Sequence, residues 1–171
     1  MASAAQTLST IEHNSGHMDT KLSIQGSLFL SYRSSEADFA LRLAVDLKNA
    51  GIAVWMDRYD LRLGENWVMG IQTAVDNCTG MICIVSQDYV ESRYTRRELT
   101  RAMQRGITLL PLLIQDVPDD HWPFELQSIQ YTDFRHWRDS AVYDRQFASL
   151  LDQLHNDPIP SARCPTPRPV T

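Results

Sequence analysis

The chain has 171 residues, about the length of one domain, with 43% hydrophobic and 22% charged residues, which excludes wholesale disorder, collagen-like repeats and coiled coils. A formal charge of −5 provides no basic field to hold a polyphosphate backbone, so nucleic acid is not an expected partner. The longest apolar runs, Ile82 to Val85 and Ile107 to Ile114, fall far short of the roughly 20 residues that span a bilayer, so no membrane partner is expected either.

Residues 1–26 carry no aromatic side chain and no sustained periodicity, and read as an N-terminal tail. Residues 27–155 form the expected folded core, in which short strand-like runs alternate with amphipathic helices. The first strand runs from Ser27 to Tyr32. Ser35-Glu36-Ala37-Asp38 is a capping-box pattern that starts a helix, whose apolar side chains Leu41, Ala44 and Val45, with Ala37 before them and Lys48 after, recur at three- and four-residue spacing. Gly51 supplies its left-handed stop, and the second strand is Ile52 to Met56.

A polar loop, Asp57 to Asn66, leads to a helix with Trp67, Ile71 and Val75 along one face. Gly80 precedes the third strand, Met81 to Val85, and Ser92 caps a helix that ends near Arg105 and Gly106. Ile107 to Ile114 is the fourth strand despite Pro111, and Ile129-Gln130-Tyr131 is a weak fifth. A helix from Ala141 to Leu154, striped by Phe147, Leu150, Leu151 and Leu154, closes the core. Residues 156–171 hold five of the eight prolines and read as an extended C-terminal tail. The pattern predicts an α/β fold: a flavodoxin-like, five-stranded parallel sheet, order 2-1-3-4-5, with helices on both faces.

Cys78, Cys83 and Cys164 form neither an even disulfide set nor a zinc pattern, and the N-terminus shows no basic-then-apolar leader; both fit a reducing cytoplasm. In such a sheet, ligands bind beyond the carboxyl ends of the strands where the winding reverses, between strands 1 and 3. That rule selects Ser31, Tyr32, Arg33, Ser34 and Ser86, with the first turns of the next helices. No glycine-rich phosphate loop succeeds strand 1, no acidic residues stand where a phosphate-accepting receiver domain needs them, and no His, Cys or acidic set has metal-ligand spacing; the Asp119 and His121 pair lies in a Pro-flanked loop. No metal is expected.

The helix from Ser92 is more informative. Tyr94, Glu98 and Ala102 form one line, beside the apolar line of Thr95, Leu99 and Met103, so Glu98 borders the buried face. Spacing alone leaves two readings: a carboxylate facing the crevice, or a solvated partner of Arg97 or Arg101.

Five pieces taken in order resemble a Toll/interleukin-1 receptor (TIR) domain, over residues 27–135: Phe29-Leu30-Ser31-Tyr32-Arg33; Val54-Trp55-Met56-Asp57; Leu63-Gly64 with Trp67; Ile84-Val85-Ser86 with Tyr89; and Ser92 to Glu98-Leu99. The resemblance implies the same flavodoxin-like sheet, and an enzyme that cleaves NAD+ at the nicotinamide–ribose bond to give nicotinamide and ADP-ribose or a cyclic ADP-ribose-type signal. NAD+ is then substrate, with no cofactor. By its place in the motif Glu98 matches the family's catalytic glutamate. The nucleotide-lining positions match Tyr32, Arg33, Ser34, Ser86 and Tyr94, where enzymatic members commonly carry Trp in place of Tyr94. Asp57, Arg62 and Gly64 match a loop that gates the pocket and packs against a neighbouring subunit. The resemblance further implies bacterial antiphage immunity, activation by assembly with other TIR subunits, and, as the alternative, a non-enzymatic TIR–TIR adaptor. Trp55 and Trp67 read as core residues.

Overall fold

The computed structural model describes residues 27–56 and 78–156. Both tails, the loop with Asp57, Arg62 and Gly64, and the expected helix with Trp67, Ile71 and Val75 lie outside the described residues.

Among the described residues five parallel strands form one sheet: β1 (Ser27–Ser31), β2 (Ala53–Met56), β3 (Gly80–Val85), β4 (Thr108–Leu113) and β5 (Thr132–Asp133), in the order β2-β1-β3-β4-β5. The helices are α1 (Ala37–Asn49), α2 (Gln87–Glu91), α3 (Arg93–Gln104) and α4 (Ser140–Asn156). The expected topology is therefore the observed one, and the reversal of winding falls between β1 and β3.

Side chains alternate across a strand, and this alternation divides the core in two. On one face Leu28, Leu30, Ile82, Ile84 and Leu112 pack with α1 and α4 through Phe39, Leu43, Leu47, Tyr143, Leu150 and Leu154. On the other, Phe29, Met81, Cys83, Val85, Leu109 and Leu113 pack with Tyr89, Val90, Leu99 and Ala102 of α2 and α3. β1 pairs with β3 in a register that sets Ser31 beside Cys83. Both belong to the second face.

Two glycines end helices as their positions require. Gly51 comes after α1 with φ +83° and Gly106 after α3 with φ +67°, in the left-handed region where a Cβ is costly. Ser92 caps α3 as expected, its Oγ accepting from the backbone N–H groups of Tyr94 and Thr95 at 3.2 and 3.4 Å. Pro111 is accommodated in β4 because β5 pairs only with Leu112 and Leu113, leaving β4 flanked on one side alone at the proline.

Four expectations need correction. The buried stripe of α1 is Phe39, Ala40, Leu43, Ala44 and Leu47, whereas Leu41 and Val45 are 46% and 55% exposed. The helix is apolar at adjacent positions on two stripes, and the bulkier one with Phe39 wins the sheet. The capping box before α1 does not form: a 3-10 turn, Ser34–Glu36, occupies its place, and the N-cap Glu36 makes no side-chain capping bond. The short helix α2 was not anticipated. The fifth strand is Thr132–Asp133, just beyond Ile129–Tyr131.

Candidate functional site

The switch point at the carboxyl ends of β1 and β3 holds a buried chain of polar side chains. Ser31 ends β1 on the α2/α3 face, 1% exposed. Its Oγ donates to Glu98 Oε2 at 2.5 Å. The Tyr89 hydroxyl lies 3.0 Å from the same Oγ. A serine hydroxyl has one proton, and here it goes to the carboxylate, so Tyr89 is the donor to Ser31. The order of donation is Tyr89 to Ser31 to Glu98. Glu98 is 6% and Tyr89 0% exposed, so the chain runs through protein and not along the surface.

Local structure explains how these groups meet. Ser86 caps α2, its Oγ accepting from the Tyr89 N–H at 3.1 Å, which fixes the turn that carries the tyrosine. Thr95 Oγ1 donates to the Tyr89 carbonyl at 2.6 Å, and Arg96 reaches the Val90 carbonyl with Nε and Nη2 at 3.3 and 3.2 Å. These bonds tie the end of α2 to the first turn of α3. Glu98 stands one turn after Tyr94, on the side of α3 that also buries Thr95, Leu99 and Ala102. Met103, expected on the apolar line, is 49% exposed.

The electrostatics derive from burial. Desolvation, with the Glu98 carboxylate adding to it, pushes the Cys83 thiol up to about 12, against the effect of the Tyr89 hydroxyl. Burial also raises the Tyr89 phenol well above its ordinary value, with Cys83 and Glu98 acting in the same sense. Both groups therefore stay neutral and protonated around neutral pH. Tyr89 is a permanent donor.

A second carboxylate sits at the same end of the sheet. Ser35 Oγ lies 2.9 Å from Glu36 Oε1 and 2.7 Å from Asp88 Oδ2, so its proton serves one at a time and links the turn after β1 to α2. Glu36 is 7% exposed, and its Oε2 has no hydrogen-bond partner among the described residues. A buried acceptor of this kind offers a place for a ligand donor.

The remaining sequence-derived positions separate. Arg33 is half-buried in the turn after β1, its carbonyl accepting from Glu36 N–H at 2.9 Å; Ser34 is exposed beside it. Tyr94 is half-buried against the α2/α3 core. Tyr32, 7% exposed, joins the opposite core with α1 and α4, away from Glu98. Ser86 is 0% exposed and spent on its cap, leaving no surface for a ligand. Trp55 is 38% exposed and stacks on Phe29, ring centroids 5.4 Å apart. Sequence reasoning missed Tyr89 as the group behind Ser31, a contact across 58 residues that no local pattern reports, and Glu36 as a buried acceptor without a partner for its Oε2 among the described residues.

Among the described residues no group of three or more His, Cys, Asp or Glu is placed to hold a metal, and His121 Nδ1 lies 3.2 Å from Gln87 Nε2. No helix of the described residues is long and apolar enough to cross a membrane.

The family model for the TIR domain matches residues 28–151, and the chain belongs to the TIR family. It is 32% identical over 93 residues to the 2′ cyclic ADP-D-ribose synthase BtTIR of Bacteroides thetaiotaomicron, a match that covers 52% of this chain and 32% of that protein. To the NAD(+) hydrolase TcpA of a Theionarchaea archaeon it is 28% identical over 90 residues, covering 52% of this chain and 27% of that protein. The chain thus spans about a third of the length of the curated relatives it matches. Among solved structures it superposes on the TIR domain of the Toll-related receptor TRR-2 from Hydra magnipapillata with a TM-score of 0.61 at 19% identity, covering 75% of this chain and 98% of that one. The TIR domains of the activated Roq1 resistosome give 0.59 at 17% identity, covering 75% and 99%. These two likenesses concern the fold.

Proposed function

We propose that this TIR domain is an NAD+ glycohydrolase or cyclase with Glu98 as its catalytic residue. The observation that carries the reading is the Glu98 carboxylate, turned inward at the β1/β3 switch point and anchored by Ser31. The relatives named as 2′ cyclic ADP-D-ribose synthase and NAD(+) hydrolase support it.

The chemistry asks little of the protein. When the bond between ribose C1′ and the pyridinium nitrogen breaks, its electron pair neutralises the ring, and nicotinamide departs without needing an acid. This distinguishes the reaction from ordinary glycoside hydrolysis, which uses two carboxylates. The ribose is left with oxocarbenium character, and a fixed anion beside it stabilises the developing charge. Water, or a hydroxyl of the same molecule, then adds to C1′ and loses its proton, giving ADP-ribose or a cyclic product. Glu98 supplies the anion, and the Tyr89–Ser31 chain holds it in place. Arg33 pairs with the pyrophosphate, and Ser34 and Tyr94 line the nucleotide site, while Asp57, Arg62 and Gly64 are assigned to it by the family motif alone. No cofactor is needed.

In this reading the domain acts in the cytoplasm, within bacterial antiphage immunity, and is switched on by self-assembly. Incubation of concentrated protein with NAD+ releases nicotinamide, mass spectrometry separates linear from cyclic products, and Glu98→Ala abolishes release while the fold survives. Equal turnover by that variant contradicts the assignment. Absence of turnover in every assembly state, with self-association intact, makes the domain an adaptor instead.

A further inference from the structure

A cavity of about 680 Å³ lies beyond β4 along β5, the edge strand. Its volume falls within the range of small-ligand and peptide sites. Trp122, Leu126, Ile129 and Tyr131 supply the apolar lining, with the Trp122 and Tyr131 rings 5.4 Å apart at 32°. Tyr131 remains 43% exposed, and the Trp122 indole N–H is turned to the Val117 carbonyl at 3.4 Å. The lining contains two carboxylates, Asp119 and Asp133, and no basic residue. Arg135 engages both Asp133 and Asp116, whereas Asp119 is exposed, with the exposed Asp120 next to it. A paired aromatic wall with an acidic rim suits an extended segment that carries proline rings and a cation.

The sequence supplies such a segment next to this wall. Gln153, near the end of α4, lies 3.4 Å through its Oε1 from Thr132 Oγ1, and Thr132 stands between Tyr131 and Asp133 of the cavity. α4 ends three residues later at Asn156. Beyond that helix the chain carries Pro158-Ile159-Pro160, then Arg163, then Pro165-Thr166-Pro167-Arg168-Pro169, with no acidic residue after Asp157. In an extended proline-type helix, at about 3.1 Å per residue, the seven residues from Asn156 to Arg163 reach about 22 Å, several times the length of a two-residue strand.

We propose that this edge cavity is a docking site for the chain's own proline- and arginine-rich segment, residues 158–169. Proline rings lie on Trp122 and Tyr131, and Arg163 or Arg168 pairs with Asp119. This holds whether or not the domain turns over NAD+.

The native cysteines make the test direct. Cys78 and Cys83 are 1% and 0% exposed, so a nitroxide reagent applied briefly to the full chain labels Cys164 within the segment. The indole N–H resonances of the four tryptophans are then recorded, with Trp55 on β2, at the opposite edge of the sheet, as the internal reference. Docking attenuates the Trp122 signal at least fivefold more than that of Trp55, independently of protein concentration, and D119R removes the difference while leaving the spectrum folded. Equal attenuation of Trp122 and Trp55, a difference that D119R leaves unchanged, or one that vanishes on dilution overturns the proposal.

Discussion

The two faces of the sheet are built from the same strands and do different work. The face covered by α1 and α4 is a continuous apolar and aromatic core, in which Phe39 meets Phe134, Trp137 and Tyr143 edge-on at 5.3, 5.4 and 6.4 Å. Burial there is mainly apolar, with the Tyr143 hydroxyl donating to Asp46 Oδ2 at 2.7 Å. The face covered by α2 and α3 buries Ser31, Ser86, Thr95 and Glu98 as well as Tyr89, and each must be matched by a hydrogen bond. A polar chain of this kind makes a poor contribution to stability for its volume. Its placement at the end of β1 and β3 makes sense as function, while the opposite face supplies the stability that tolerates it.

This contrast can be broken most forcefully at Phe39, fully buried among three aromatic rings. F39A costs about 3–5 kcal/mol in denaturant unfolding and leaves turnover per folded molecule unchanged. A loss of activity beyond the loss of folded protein would show that the two faces are not separable. Ser31→Ala has the reverse character. Stability falls by about 1–3 kcal/mol, since Glu98 loses a buried donor and Tyr89 its acceptor. NAD+ turnover falls at least tenfold in kcat, with KM little changed, and Ser31→Thr restores part of it. An unchanged kcat would reduce the Ser31 contact to packing.

The pH dependence of stability sharpens the contrast further. Cys83 has its folded value pushed up to about 12, above the ordinary thiol value of about 8.5. Between those values the unfolded chain ionises this thiol and the native state does not, so its contribution is complete below about pH 8.5 and is lost as pH rises toward 12. The slope is about 1.4 kcal/mol per pH unit at most, and Cys83→Ala removes it from a series of unfolding midpoints. The smallest effect belongs at the sheet edge. The Arg135 hydrogen bonds hold the Asp133 carboxyl below its usual value, so any stability from this exposed pair is present above about pH 3.9 and is lost as pH falls below it. In R135A the Asp133 titration, monitored by NMR, returns to the ordinary range; an unmoved titration would detach Asp133 from Arg135.

Much of this architecture was legible because local signals agreed with one another. The apolar runs of β1, β3 and β4, the Ser92 cap and the two terminating glycines each report their own segment, and their alternation implies the sheet order. Glu98 was legible as a residue bordering the buried side of its helix. What local pattern left open was decided by the sheet. α1 offers two apolar stripes, and only packing chooses the one with Phe39 and Leu43. α2 has five residues, too few for a period to show, and β5 has two. The contacts of Ser31 with Glu98 and Tyr89 span 67 and 58 residues. Tyr32 and Ser86 lay beside the right residues in sequence, but strand alternation turned one to the opposite face and the start of α2 consumed the other.

The most direct test replaces one atom group at the centre of the site. E98Q keeps the side-chain length and an oxygen to accept from Ser31, and removes only the negative charge. Measured by nicotinamide release from NAD+ at high protein concentration, E98Q lowers kcat at least roughly 100-fold while its unfolding midpoint stays at or above that of the unaltered chain. Turnover by E98Q within a fewfold of the unaltered chain would contradict the assignment of the chemistry to the Glu98 carboxylate.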